Sequence, residues 1–196
     1  MQESVLVIPS YEVDNLTDNK TGVIVVELEQ IKRVIEKKGR FIKRDLVEYD
    51  ENFRQVIPYV VMQSGDEILL LRRTENQGEK RLHNKYSIGV GGHVRLEDGL
   101  HPWQAFLNGM KREIDEEVKA QIVSLNYIGL INDLASSVSR VHVGLLYLAQ
   151  VIFEGLNEPD MFEYTWESLD QLSGIEQNME GWSYLTLLKL RELMQK

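Results

Sequence analysis

The chain has 196 residues, of which 43% are hydrophobic and 27% charged, with 31 acids against 22 bases and a net charge of −9. That length suits one domain with an added lobe, and that composition excludes wholesale disorder. The acidic balance argues against tight non-specific nucleic-acid binding, which works by neutralising phosphates. The absence of cysteine excludes disulfides, thiolate metal sites and a cysteine nucleophile.

The opening "MQESVLVIPSYEVD" has no basic region before its short apolar run, unlike a secretory signal. No apolar stretch is long enough to span a bilayer, so the expectation is a soluble cytoplasmic protein with no membrane partner. Next, "GVIVVEL" is strand-like, and "LEQIKRVIEKKG" places Leu28, Ile31, Val34 and Ile35 at helical spacing with Gly39 as C-cap. Seven bases between Lys32 and Arg44 are interspersed with acids, as on a solvated helix face. Residues 1–50 therefore read as an extension with a strand and a helix, packed on a main domain of residues 51–196.

From Gln55 the pattern turns to sheet. "QVIPYVVMQ" and "EILLLRR" are joined by "SGD", a hairpin signal, and "YSIGVGGHV" is a strand interrupted by glycines. A helix is expected over Trp103–Lys119. "IVSLNYIGLIND" and "VHVGLLYLAQVIF" follow, apolar enough for strands covered on both faces. A short helix at "WESLDQL" and a last one at "GWSYLTLLKLRELMQK" close the chain. The fold class expected is α/β, a mixed sheet between helices.

The stretch "KREIDEEV", Lys111–Val118, concentrates charge. At roughly 100° per residue, Glu113, Glu116 and Glu117 share an arc of about 100°, beside an apolar stripe of Leu107, Met110, Ile114 and Val118. Asp115 points the other way. Two carboxylates ~5 Å apart repel by roughly 3 kcal/mol at an effective dielectric near 20. Acids near a helix C-terminus are also disfavoured by the helix dipole. A hard divalent cation would relieve that repulsion; a solvated acidic face is the alternative for the octapeptide alone. Upstream, "GVGGHVRLEDG" ends a strand in glycines, which let a backbone approach a ligand and expose its carbonyls.

Taken together, these residues resemble the signature box of the Nudix hydrolases, in the branch of MutT-like phosphoesterases. Arg112, Glu113, Ile114, Glu116 and Glu117 match its second half without a gap, and Gly91 and Gly92 match its opening pair. The resemblance runs from Gln55 to the C-terminus and implies an α/β/α sandwich with a mixed sheet. It also departs from the box. Glu97 and Asp98 both lie near the place of an expected glutamate, thirteen residues rather than seven separate Asp98 from Arg112, and the closing glycine is absent.

The resemblance implies a hydrolase that cleaves a diphosphate linked to another group, by water attack on phosphorus with Mg²⁺ or Mn²⁺. Glu113, Glu116 and Glu117 would be metal ligands, with a carbonyl of Gly91 or Gly92. Glu113, Glu116 and Arg112 form the expected catalytic set, Arg112 orienting Glu97 or Asp98. The general base would be Glu113 or Glu116, or a later acid among Glu154, Glu158 and Glu163. Arg81, in the basic loop Arg72–Lys85, and His93, beside the glycines, are expected at the substrate. The expected partner is a small diphosphate compound, with a homodimer left open. Two other readings stay in view: a nucleotide-sensing module without catalysis, and a prenyl diphosphate isomerase, which the missing cysteine disfavours.

Overall fold

The structure is a computed structural model and describes residues 3–74 and 84–195. Its contacts divide the chain into two compact units. The first comprises Met1–Tyr59, Gly91–Arg112 and Tyr127–Leu146; the second comprises Val60–Val90, Glu113–Asn126 and Tyr147–Lys196.

In the first unit, β1 (Ser4–Pro9) is the central strand of the N-terminal segment. It pairs antiparallel with β3 (Arg40–Lys43) and with the start of β4 (Phe53–Ser64), in the register Val7↔Gln55. Val5, Val7 and Val47 form a buried cluster with Ile42 and Phe53 packed against it. Helix α1 (Ser10–Thr17) precedes β2 (Gly22–Ile24), and α3 (Arg44–Val47) follows β3. Helix α2 (Leu28–Lys38) packs on β1, burying Ile31 and Ile35. It stops at Gly39, whose N–H donates to the Ile35 carbonyl. A Cβ on Gly39 would lie 2.3 Å from that oxygen. The strand expected over "GVIVVEL" is only three residues long, because β2 finds its partner, Leu130–Asn132 of β8 (Val118–Asn132), over those residues alone.

In the second unit, the later part of β4 and β5 (Glu67–Arg73) form the expected hairpin, closed by the pair Ser64↔Glu67. Gly65, the first of the two turn residues, has φ +60°, as a type II′ turn requires. Strand β6 (Tyr86–Ser87) pairs with β5, and β7 (Gly89–Val90) pairs with Val60 and Val61 of β4. The order through this unit's strands is β10-β5-β4-β9-β8, where β9 is His142–Leu156 and β10 is Phe162–Ser168. Helix α5 (Gly181–Met194) buries Ser183, Thr186, Leu187 and Leu190, and its Ser183 hydroxyl accepts the Ile88 N–H at 3.1 Å.

Three expectations need correction. "WESLDQL" is not a helix. Its first three residues belong to β10, where Trp166 and Glu167 pair with Leu69 and Ile68 of β5. Aromatic and β-branched neighbours favour that edge pairing, which also satisfies the backbone of β5. What remains is one turn in which Leu172 N–H donates to the Ser168 carbonyl, ended at Gly174 with φ +100°. Next, β8 is not covered on both faces: Val123 is 63% exposed, and only its first residue, Val118, and its end, from Gly129, are buried. Finally, α4 is Pro102–Glu117 and the chain passes straight into β8 at Val118. Proline at the first helical position has no N–H to leave unsatisfied.

Candidate active site

The glycines have a packing role first. Gly91 follows β7 where the β4 backbone comes closest, and a Cβ there would sit 1.9 Å from the Pro58 carbonyl oxygen. Only glycine permits that approach. Beyond it, Leu6 N–H donates to the Val94 carbonyl at 2.8 Å, so β1 supports this loop. Gly92 follows in the same irregular segment, partly exposed.

The loop then closes on Asp98. Its Oδ2 accepts the Arg95 N–H at 2.7 Å, forming a tight turn over Leu96–Asp98. Arg112 Nε donates to Asp98 Oδ1 at 2.8 Å, and Arg112 Nη2 donates to Asp98 Oδ2 at 3.0 Å and to the His93 carbonyl at 2.8 Å. Gly109, one turn before Arg112, leaves room for the carboxylate: a Cβ there would lie 2.8 Å from Oδ2. Burial alone would raise the Asp98 carboxyl, but the Arg112 and Arg95 hydrogen bonds and charges hold it below its ordinary 3.8. Asp98 is thus the acid that Arg112 orients, while Glu97 is exposed.

The extra residues between Asp98 and Arg112 are mostly helix. Gly99–His101 make a short link, and α4 begins at Pro102. Trp103 on this added length stacks on Phe106 with ring centres 5.0 Å apart, a packing role.

His93 is half-buried, its Nε2 3.3 Å from His142 Nε2. His142 Nδ1 lies 2.7 Å from the Val138 carbonyl and donates to it, which fixes the ring. Burial, then the charges of Arg44, His142, Arg95 and Arg112, lower the His93 pKa to about 3. His93 is a neutral imidazole at ordinary pH.

In the second unit lie the carboxylates at the end of α4. Glu113 is 8% exposed, beside buried Ile114 and Val118, whereas Asp115 and Glu116 are exposed and Glu117 is half-buried. Burial pushes the Glu117 carboxyl up to about 8, and the charges of Glu113, Glu158 and Glu180 add to this against the opposing charge of Arg73. Glu158 follows Asn157, whose N–H and Nδ2 donate to the Glu117 and Asp115 carbonyls, so this loop acid lies beside the end of α4. Of the other two, Glu154 pairs with Lys119 at 2.8 Å and Glu163 with Arg72 at 3.3 Å.

Arg73 and Glu180 were not legible as site residues. They form an ion pair, with Arg73 also over the Phe162 ring at 5.3 Å. More than a hundred residues separate them, so no local spacing announces the pair. Arg81 lies outside the described residues. A cleft of ≈ 330 Å³ lined by Leu70, Arg72, Tyr86, Glu163 and Thr165 among others contains none of the α4 carboxylates.

Among the described residues, no group of three or more His, Asp or Glu side chains is arranged as a metal site. The chemistry of the donors nevertheless fits a hard divalent cation. The carboxylates of Glu113, Glu158 and Glu180, all oxygen donors, add to the burial that raises the Glu117 carboxyl, and Arg73 opposes them.

Comparison with known proteins defines the class. The chain belongs to the Nudix hydrolase superfamily, whose α/β/α fold and mixed sheet it shares, and is a pyrophosphohydrolase of that class. It is 39% identical to Tm1382, described as a candidate Nudix hydrolase, whose crystal structure superposes with a TM-score of 0.88 over 97% of this chain and 100% of that one. It is 34% identical over 198 residues to Protein YmaB of Bacillus subtilis (strain 168), covering 93% of this chain and 95% of the relative. A MutT NUDIX hydrolase from Burkholderia pseudomallei, at 22% identity, shares the fold with a TM-score of 0.53 over 69% of this chain and 96% of its own. No family model matches the chain. Among the described residues no helix is long and apolar enough to cross a membrane.

Proposed function

We propose that this protein is a divalent-metal-dependent hydrolase that cleaves the diphosphate linkage of a nucleoside diphosphate joined to another group. One observation carries the reading most. Among the described residues, the charges that act on Glu117 at the C-terminal turn of α4 are those of Glu113, Glu158 and Glu180, opposed by Arg73. Such an excess of carboxylate suits a positively charged occupant and is costly without one.

Glu113, Glu116 and Glu117 would hold Mg²⁺ or Mn²⁺. The bound ion supplies neutralisation of phosphate charge and activation of water. In the reaction, water oxygen bonds to phosphorus as the bridging P–O bond breaks. The bridging oxygen leaves with the second phosphate, and the water proton passes to a carboxylate. Glu158 is our assignment for that base, with Glu113 and Glu116 as the box alternatives. Arg112 acts on Asp98 and the His93 carbonyl, holding the loop that carries the glycines. Neutral His93 and the loop residue Arg81 are assigned to the substrate. The cysteine-free, acidic chain suits the cytoplasm.

The test is a panel of nucleoside diphosphate-linked compounds incubated with Mg²⁺ or Mn²⁺, with release of phosphate-containing products measured. Glu116→Gln and Glu117→Gln should abolish release while circular dichroism stays native. Wild-type turnover in both variants would remove the metal-site assignment.

A further inference from the structure

The helix that carries the carboxylates is not followed by a glycine. An α-helix leaves its last four carbonyls unsatisfied, and the usual remedy is a glycine just beyond the end. Here the residues beyond Glu117 are Val118, Lys119 and Ala120. Two of these carbonyls are met from another part of the chain. Asn157 N–H donates to the Glu117 carbonyl at 2.9 Å, and Asn157 Nδ2 donates to the Asp115 carbonyl at 2.8 Å.

Asn157 begins the turn between β9 and β10, and Glu158 is its next residue. That turn is built to be stiff. Met161 N–H donates to the Glu158 carbonyl at 3.0 Å, closing Glu158–Met161 with Pro159 at the second position, where its fixed φ is favoured. Proline also restricts the residue before it, which is Glu158. The far end is fastened to β5: Thr74 N–H donates to the Met161 carbonyl at 3.0 Å, and Thr74 Oγ1 donates to the Asp160 carbonyl at 2.7 Å.

We infer that Asn157 is a positioning residue, bolting the Glu158 turn to the C-terminal end of α4 and so setting Glu158 against Glu117. The inference rests on the hydrolase reading for its catalytic consequence. Its structural content stands on the hydrogen bonds alone. The side-chain bond separates the two jobs of Asn157, since every substitution except proline keeps the backbone N–H.

The experiment compares full-length wild-type protein with Asn157→Ala and with Asn157→Asp, which keeps the shape and loses the donor. ADP-ribose with Mn²⁺ serves as the kinetic probe, and amide hydrogen exchange at Met161 and Thr74 as the structural one. Both variants should lose roughly tenfold to a hundredfold in kcat, the scale expected for a displaced reacting group, with KM within about twofold. The Met161 and Thr74 amides should exchange about tenfold faster, as expected for one lost hydrogen bond. In a Glu158→Gln background the Asn157→Ala loss should vanish, because the two residues act as one unit. A full, multiplicative loss in that background overturns the inference, as does wild-type exchange at both amides. If the wild-type protein hydrolyses nothing, the hydrolase reading fails separately, and the exchange result alone decides the role of Asn157.

Discussion

Arg112 grips both oxygens of Asp98, Nε to Oδ1 at 2.8 Å and Nη2 to Oδ2 at 3.0 Å, and with the same Nη2 holds the His93 carbonyl at 2.8 Å. One guanidinium thus fixes the helix to both ends of the loop that follows the glycines. Lysine lacks the planar fork to do this.

Asp98→Asn and Arg112→Lys should each lower stability by about 2–3 kcal/mol, the scale for a buried charge-assisted pair losing one partner. Denaturant unfolding at neutral pH measures it. The Asp98 carboxyl sits below its ordinary 3.8 when folded, so its contribution is present above that pH and is lost as pH falls through the folded value. Asp98→Asn should therefore flatten the loss of stability on the acid side. An unchanged slope would place that pH dependence elsewhere.

Gly91→Ala should be among the most damaging single changes in the chain. The added methyl would meet the Pro58 carbonyl oxygen at 1.9 Å, and the atoms it meets are all backbone. A loss of at least about 3 kcal/mol, or failure to fold, is expected, since backbone must move to relieve the clash. Thermal unfolding with native-like melting would show that this approach is not tight in solution.

Neighbouring acids on α4 should respond differently. Glu113→Gln, Glu116→Gln and Glu117→Gln should each reduce turnover on the order of a hundredfold or more, as losses at a metal site do. Asp115→Asn, on the exposed side of the same turn, should stay within about twofold, with stability within about 0.5 kcal/mol. Steady-state rates at saturating Mg²⁺ decide it. Equal effects at all four positions would point to a general charge effect of the acidic run.

Chelation should abolish the activity, and added Mg²⁺ should restore it. Because the ion binds the folded state, it should also raise the melting temperature, by an amount corresponding to about 2.7 kcal/mol at a hundred times its dissociation constant. The increase should disappear in Glu117→Gln. A shift that survives in that variant would mean the ion binds elsewhere.

The local features of this protein were determined by its sequence alone. Helical spacing marks α2 and α4, the serine-glycine-aspartate turn marks the β4–β5 hairpin, and the box from Arg112 to Glu117 with Gly91 and Gly92 marks the family. Each signal lies within one short contiguous stretch of chain, where backbone periodicity and turn chemistry act directly. Tertiary structure decided the rest. "WESLDQL" became strand and turn because β5 offered an edge, and a hydrogen-bonded ladder outweighs a weak local helix preference. Asp98 rather than Glu97 met Arg112, because the tight turn at Arg95 directs only one of two adjacent acids inward. Glu158, Asn157, Arg73 and Glu180 reached the end of α4 from distant parts of the chain. Which distant groups share one small volume depends on how strands pair, and no spacing in the sequence encodes that pairing.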